Sequence, residues 1–136
     1  MRIVLDTNVL VSGLISRGPP ALLLDLWIDD LFEVVTSNEQ VLEVARVLCY
    51  PKLARRLSDE VAFRLVDRLQ QAAVLVSDLP QVDASTDPYD NAILATAIAG
   101  KARLLVTGDK KHLLALGEIR GVAIVTVQDA LARLSH

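Results

Sequence analysis

Short aliphatic runs alternate with helix-patterned stretches along the chain, and this alternation constrains the fold more than any other feature. Ile3-Val4-Leu5 is the first such run, apolar and rich in β-branched residues, as a buried strand requires. Asp6-Thr7-Asn8 stops it, and the apolar stretch 9–15 reads as a short helix. After the turn Arg17-Gly18-Pro19-Pro20, a helix is expected over 21–30, with Leu22, Leu23, Leu26 and Trp27 on one face. Residues 33–36 read as a second strand, with Ser37-Asn38 capping a helix over 39–48 that Pro51 ends or breaks. Ser58-Asp59-Glu60 starts an amphipathic helix, and 73–76 predicts a short edge strand. Asp87-Pro88 opens a helix that runs to Ala99 and stops at Gly100. A strand over 104–106, a helix over 110–116, a strand over 122–125 and a helix over 128–134 complete the pattern. Alternation of this kind predicts an α/β fold in three layers, with a mainly parallel sheet between helices.

Composition agrees. Hydrophobic residues make up 52% of the 136 and aromatic residues only 4%, so the core is aliphatic, which suits parallel strands covered by helices. The same scarcity of aromatics argues against a stacking platform for single-stranded bases. The length fits a single domain over 1–136, and there are no internal repeats or linkers. The lone cysteine, Cys49, excludes a disulfide framework, fits a reducing compartment and reads as an inert thiol. Met1-Arg2 leads straight into the first strand, so no signal peptide is expected. The apolar run 92–99 falls far short of the roughly 20 residues that span a bilayer. These features predict a cytoplasmic protein without membrane contact. A net charge of −3 argues against holding nucleic acid by bulk charge, although acids clustered around divalent ions would account for part of it.

Carboxylates mark the strand ends and helix starts. Asp6 ends the first strand, Asp109 follows Val106-Thr107-Gly108, and Asp87 and Asp90 open the helix between them. Each has a purely structural explanation: Asp is a favoured N-cap worth about 1 kcal/mol, and an acid in a first turn suits the helix dipole. Taken together they point elsewhere. In open α/β sheets, ligand sites form outside the carboxyl ends of the strands, and the strands ending in Asp6 and Asp109 are the central ones by their apolar runs. Carboxylates converging there repel unless a cation lies between them, and hard divalent ions such as Mg²⁺ or Mn²⁺ take oxygen ligands. His112 reads as a surface residue and His136 is terminal, so nothing indicates zinc. No Ser-His or Cys-His pair suits covalent catalysis, and no phosphate-binding glycine loop is present.

The run Leu5-Asp6-Thr7-Asn8-Val9-Leu10-Val11-Ser12 comes first. Ser37 to Glu43 follows, with Val47-Leu48 and Pro51-Lys52, then Asp87-Pro88-Tyr89-Asp90-Asn91 and Val106-Thr107-Gly108-Asp109-Lys110. In this order the motifs resemble a PIN domain, and within that family the toxin nucleases of toxin–antitoxin systems, over residue 2 to about 130. The resemblance implies a parallel sheet of about five strands and Mg²⁺- or Mn²⁺-dependent endoribonuclease activity on RNA phosphodiesters. It also implies a small antitoxin partner and a homodimer. Carried over by position, the acidic quartet is Asp6, Glu43, Asp90 and Asp109. Asn8 and Thr107 would be polar supports, and Asp87 either a cap or an outer-shell ligand. Glu43 owes its place to that spacing alone: on its helix it lies away from the apolar positions, beside Arg46 and Glu39. With two ions, one would activate a water while both stabilise the phosphate; with one, a carboxylate such as Asp90 would orient the water. Lys110-Lys111, next to Asp109, are the basic residues expected to meet RNA, whereas Arg46, Lys52, Arg55, Arg56, Arg64 and Arg68 form a basic cluster in the middle helices. The competing reading is a catalytically inactive PIN-like or receiver-like adaptor that binds a divalent ion and a protein partner. A receiver needs paired acids after its first strand and an Asp after a middle one. Here Asp6 stands alone and Val34-Val35-Thr36 leads to no Asp.

Overall fold

A computed structural model describes residues 1–108 and 111–135. Its elements follow the expected alternation: β1 (Arg2–Leu5), α1 (Thr7–Ile15), α2 (Pro19–Ile28), β2 (Glu33–Ser37), α3 (Asn38–Leu48), α4 (Pro51–Ala54), α5 (Asp59–Ala72), β3 (Val74–Val76), α6 (Pro88–Ala99), β4 (Leu104–Val106), α7 (Lys111–Leu116), β5 (Glu118–Ile119), β6 (Val122–Val125) and α8 (Val127–Leu134). Helix starts follow local chemistry. Asp6, Ser37, Ser58, Asp87 and Thr126 each accept a main-chain N–H at an N-cap, and Pro stands in the first turn of α2, α4 and α6.

The strands lie in the order β3-β2-β1-β4-β6-β5. All pairs are parallel except β5 with β6. The expected sheet of about five strands thus gains a sixth. β5 is two residues long, too short to show a period of two, and a hairpin turns it back through Arg120 and Gly121. Both turn residues have positive φ, 45° and 90°, the geometry of a tight two-residue turn.

Alternation along the strands builds two cores. Ile3, Leu5, Val34, Leu104 and Val106 face one side, where Leu10, Leu23, Trp27, Val44, Leu65 and Leu69 cover them. Val4, Val35, Leu105 and Ile124 face the other, against Ile93, Leu94 and Ala97 of α6 and Leu113 of α7. A fully buried aliphatic side chain of this kind contributes about 1.5–3 kcal/mol. The α6 layer sits close to the sheet: a Cβ built on Gly100, at its C-terminus, would lie 2.3 Å from Val35 Cγ1. Among the described residues no single helix is long and apolar enough to cross a membrane.

β1 has β2 on one side and β4 on the other: the chain runs outward from β1 through β2 to β3, then crosses back to β4 on the opposite side. The crevice at the carboxyl ends of β1 and β4 is therefore the topological switch point.

Candidate active site

Asp6 occupies that switch point. Its main-chain N–H donates to Val106 O at 2.9 Å, which pins it to the end of β4, and its residue is fully buried. Its carboxylate is held from three directions. Thr7 N–H donates to Oδ1 at 2.7 Å, Tyr89 Oη donates to Oδ1 at 2.9 Å, and Thr107 Oγ1 donates to Oδ2 at 2.9 Å. A carboxylate only accepts, so the phenol proton goes to Asp6. The Thr7 hydroxyl, 2.7 Å from Tyr89 Oη, must then be the donor between those two. Burial, and then the negative charge of Asp6, push the Tyr89 phenol far above its ordinary pKa, so it stays protonated and remains a donor.

α6 brings the second group. Asp87 does what the capping explanation requires, accepting Tyr89 N–H at 2.9 Å, while also lining the cleft described below. Asp90, one turn on, is fully buried; its Oδ2 accepts from Ser85 Oγ at 3.2 Å and meets His112 Nε2 of α7. The surface reading of His112 stands. It is largely exposed, yet its ring reaches a buried carboxylate that lies 22 positions away in sequence. Asn91 fastens the preceding loop, with Oδ1 accepting from Ala84 N and Ser85 N and Nδ2 donating to Ser85 O at 2.8 Å.

α3 brings Glu43. Its orientation is set by Gln40, a buried amide that donates to Leu5 O and accepts from Thr36 Oγ1, both at 2.6 Å. Ser37 caps the same helix and bonds Thr96 Oγ1 of α6 at 2.8 Å, so the start of α3 is tied to β1 and α6 together. One turn beyond Gln40, Glu43 opens onto a cleft of about 530 Å³ that it shares with Asp6, Thr7, Asn8, Arg46, Asp87 and Tyr89. Arg46 pairs with Glu43, donates to Tyr50 Oη and stacks over the Tyr50 ring at 5.3 Å. The solvated position read for Glu43 from its helix alone is thus a cleft wall. Of the basic cluster, Arg46 joins this cleft, whereas Arg64 pairs with Glu60 and Arg68 stacks on Trp27 in a separate groove.

Thr107 and Asp6 meet as expected, and Asn8 is exposed at the cleft. Lys111 is exposed on α7, while Asp109 and Lys110 lie outside the described residues. Tyr89 and Gln40 were missed. The signal for Tyr89 was its place between Asp87 and Asp90; nothing in the sequence singled out Gln40.

The sequence model of the PIN domain matches residues 2–111. The chain belongs to the PIN domain family. It is 29% identical over 112 residues to the uncharacterised protein MJ1680 of Methanocaldococcus jannaschii, covering 81% of this chain and 72% of that one. Similar solved structures include PAE2754 from Pyrobaculum aerophilum, with a TM-score of 0.59, 18% identity and coverage of 99% and 90% of the two chains. VapBC2 from Rickettsia felis, solved bound to a DNA fragment from its promoter, gives a TM-score of 0.58, 16% identity and coverage of 93% and 98%. FitAcB from Neisseria gonorrhoeae gives a TM-score of 0.52, 19% identity and the same coverage, 93% and 98%.

PIN domains are generally nucleases and typically use divalent metal ions. In this PIN domain the donors facing the cleft are oxygens, carboxylates foremost, which suits a hard cation rather than zinc. Among the described residues, no three His, Cys, Asp or Glu side chains are gathered closely enough to form a complete site. Mg²⁺ does not demand one: it keeps several waters and is held by one or two carboxylates together with substrate phosphate.

Proposed function

We propose that this PIN domain is a Mg²⁺- or Mn²⁺-dependent endoribonuclease that hydrolyses RNA phosphodiester bonds, the toxin of a toxin–antitoxin pair acting in the cytoplasm. The observation that carries the reading is the anchoring of Asp6 at the switch point by Tyr89, the neighbour of the buried acid Asp90, with Glu43 on the wall of the same cleft. Asp6 and Asp90 are both fully buried carboxylates, and a buried charge costs stability unless it is paired and hydrogen-bonded. The antitoxin rests on the toxin-like order of the four motifs and on the likeness in fold to VapBC2 and FitAcB.

Asp6 and Asp90, with Asp109, would hold the ion, and Glu43 would face it across the cleft. The bound ion supplies Lewis acidity, lowering the pKa of a water and offsetting charge on the phosphate. The chain supplies position. Thr107, Thr7 and Tyr89 fix the Asp6 carboxylate, Asn8 offers an amide to ligand or water at the cleft mouth, and Lys111 with Lys110 guides the backbone of RNA. Leu22 and Leu31 stand more than half exposed beside Leu26 and would provide an apolar face for the homodimer.

The test is cleavage of a labelled RNA by the purified chain with Mg²⁺, Mn²⁺ or chelator, against Asp6→Asn. Cleavage that needs the ion and is lost in the variant supports the reading; equal products from both proteins overturn it.

A further inference from the structure

We propose that Arg46 binds a phosphate of the RNA strand at the mouth of the cleft, reaching it from a resting place between Glu43 and Tyr50. This rests on the RNA-directed reading above. Among the described residues that line the cleft, Asp6, Glu43 and Asp87 bring carboxylates and Arg46 is the one cation. A strand of phosphates approaching that wall is repelled by the acids, and the chain's net charge of −3 adds no general attraction. The guanidinium is where such a strand meets a positive charge.

Its setting suits a phosphate better than it suits Glu43 alone. The Arg46 side chain is 58% exposed against 18% for Glu43, so the cation stands at the opening and the acid further in. A guanidinium carries five N–H donors in a fixed fork. Nη2 gives one to Glu43 and Nη1 gives one to Tyr50 Oη, which leaves donors for another acceptor. The Tyr50 ring, with its centroid 5.3 Å from the guanidinium carbon, steadies that group through its face and takes up no further donor. A planar fork braced on an aromatic ring can take a phosphate through two parallel hydrogen bonds, and it loses less freedom on binding than a lysine would. The pair with Glu43 is weak at so exposed a guanidinium, so a phosphate can displace it.

The experiment is fluorescence anisotropy of a labelled single-stranded RNA with the full chain, in chelator so that nothing is cut, over a series of salt concentrations. The proteins are wild type, Arg46→Gln, Glu43→Gln, the double variant, and Arg64→Gln, which removes an equal charge outside the cleft, with a thermal melt of each. Arg46→Gln should weaken binding on the order of tenfold, the loss of a charge-assisted contact. It should also lower the salt slope by about 0.7, whereas Arg64→Gln should do neither to a comparable extent. Glu43→Gln releases the fork and should bind more tightly than wild type, and Arg46→Gln should cost at least as much in that background. A loss that vanishes in the Glu43→Gln background means that Arg46 only offsets the charge of Glu43, and overturns the proposal. A loss no larger than that of Arg64→Gln also overturns it. If Arg46→Gln does not fold, Arg46→Lys is read in its place, keeping the charge and losing the fork: severalfold weaker binding supports the proposal and unchanged binding overturns it. In each of these cases wild type still binds RNA. A wild type that neither binds nor cuts RNA, with or without Mg²⁺, overturns the RNA-directed function itself.

Discussion

Gln40 and Leu5 are joined by a hydrogen bond from the buried side-chain amide to the main-chain carbonyl, 2.6 Å long and 35 residues apart in sequence. It holds α3 against the last residue before Asp6, and so fixes where Glu43 stands relative to the end of β1. Gln40→Leu keeps the volume but strands the Leu5 carbonyl and the Thr36 hydroxyl in the core. A loss of about 1–3 kcal/mol is expected in urea melts. A melt matching wild type would remove Gln40 from the account of how α3 is set.

Asp6→Asn should separate stability from chemistry. The amide oxygen can still accept from Thr7 N and Tyr89 Oη, and the amide nitrogen can donate to Thr107 Oγ1, whose hydroxyl turns to accept. Thermal stability should therefore hold within about 1 kcal/mol. RNA cleavage should fall at least about a hundredfold, because a charged ligand to a Lewis acid has been lost.

Glu43 and Glu39 provide a matched pair on one helix. Glu43 lines the cleft, whereas Glu39 is exposed in the first turn of α3. Glu43→Gln should reduce cleavage more than about tenfold. It should barely shift the melt, since its partner Arg46 is exposed and such pairs contribute about 0–1 kcal/mol. Glu39→Gln should leave kcat unchanged, and comparable losses in both variants would remove the special role of Glu43.

Gly100→Ala tests the close approach of α6 to the sheet. The added methyl meets Val35 Cγ1 at 2.3 Å in a core with little room to yield. The expected destabilisation is about 1–3 kcal/mol. The double variant Gly100→Ala, Val35→Ala should show an interaction energy of opposite sign, because the truncated valine makes space. Strict additivity would refute the contact.

Neutralising Lys110 and Lys111 to Ala should weaken RNA binding and flatten its salt dependence. Each lost phosphate contact lowers the slope by about 0.7 on a single strand. An unchanged slope would place the RNA elsewhere.

Much of the fold was open to reading from residues alone. The apolar runs and cap residues locate nearly every element because strand burial and N-capping are local: Ile3-Val4-Leu5 needs only its own side chains to read as a strand, and Asp87-Pro88 to start a helix. β5 was not readable, since two residues carry no periodicity. At the site, Asp6 and Asp90 stand out in the sequence by the strand-end rule and by the order of the motifs. The link of His112 to Asp90 depends on how α7 packs beside α6, which no local pattern encodes.

By itself, then, the sequence determined the alternation of strands and helices, the aliphatic core and the acids available at element ends, all of them consequences of near-neighbour chemistry. Only the tertiary structure decided that Glu43 and Asp87 line one cleft with Asp6. It also decided that Tyr89 and Thr107 divide the oxygens of Asp6, and that Gln40 turns Glu43 toward the cleft. These are contacts between groups dozens of residues apart, and their geometry exists only once the parallel sheet has brought the ends of β1, β2 and β4 together.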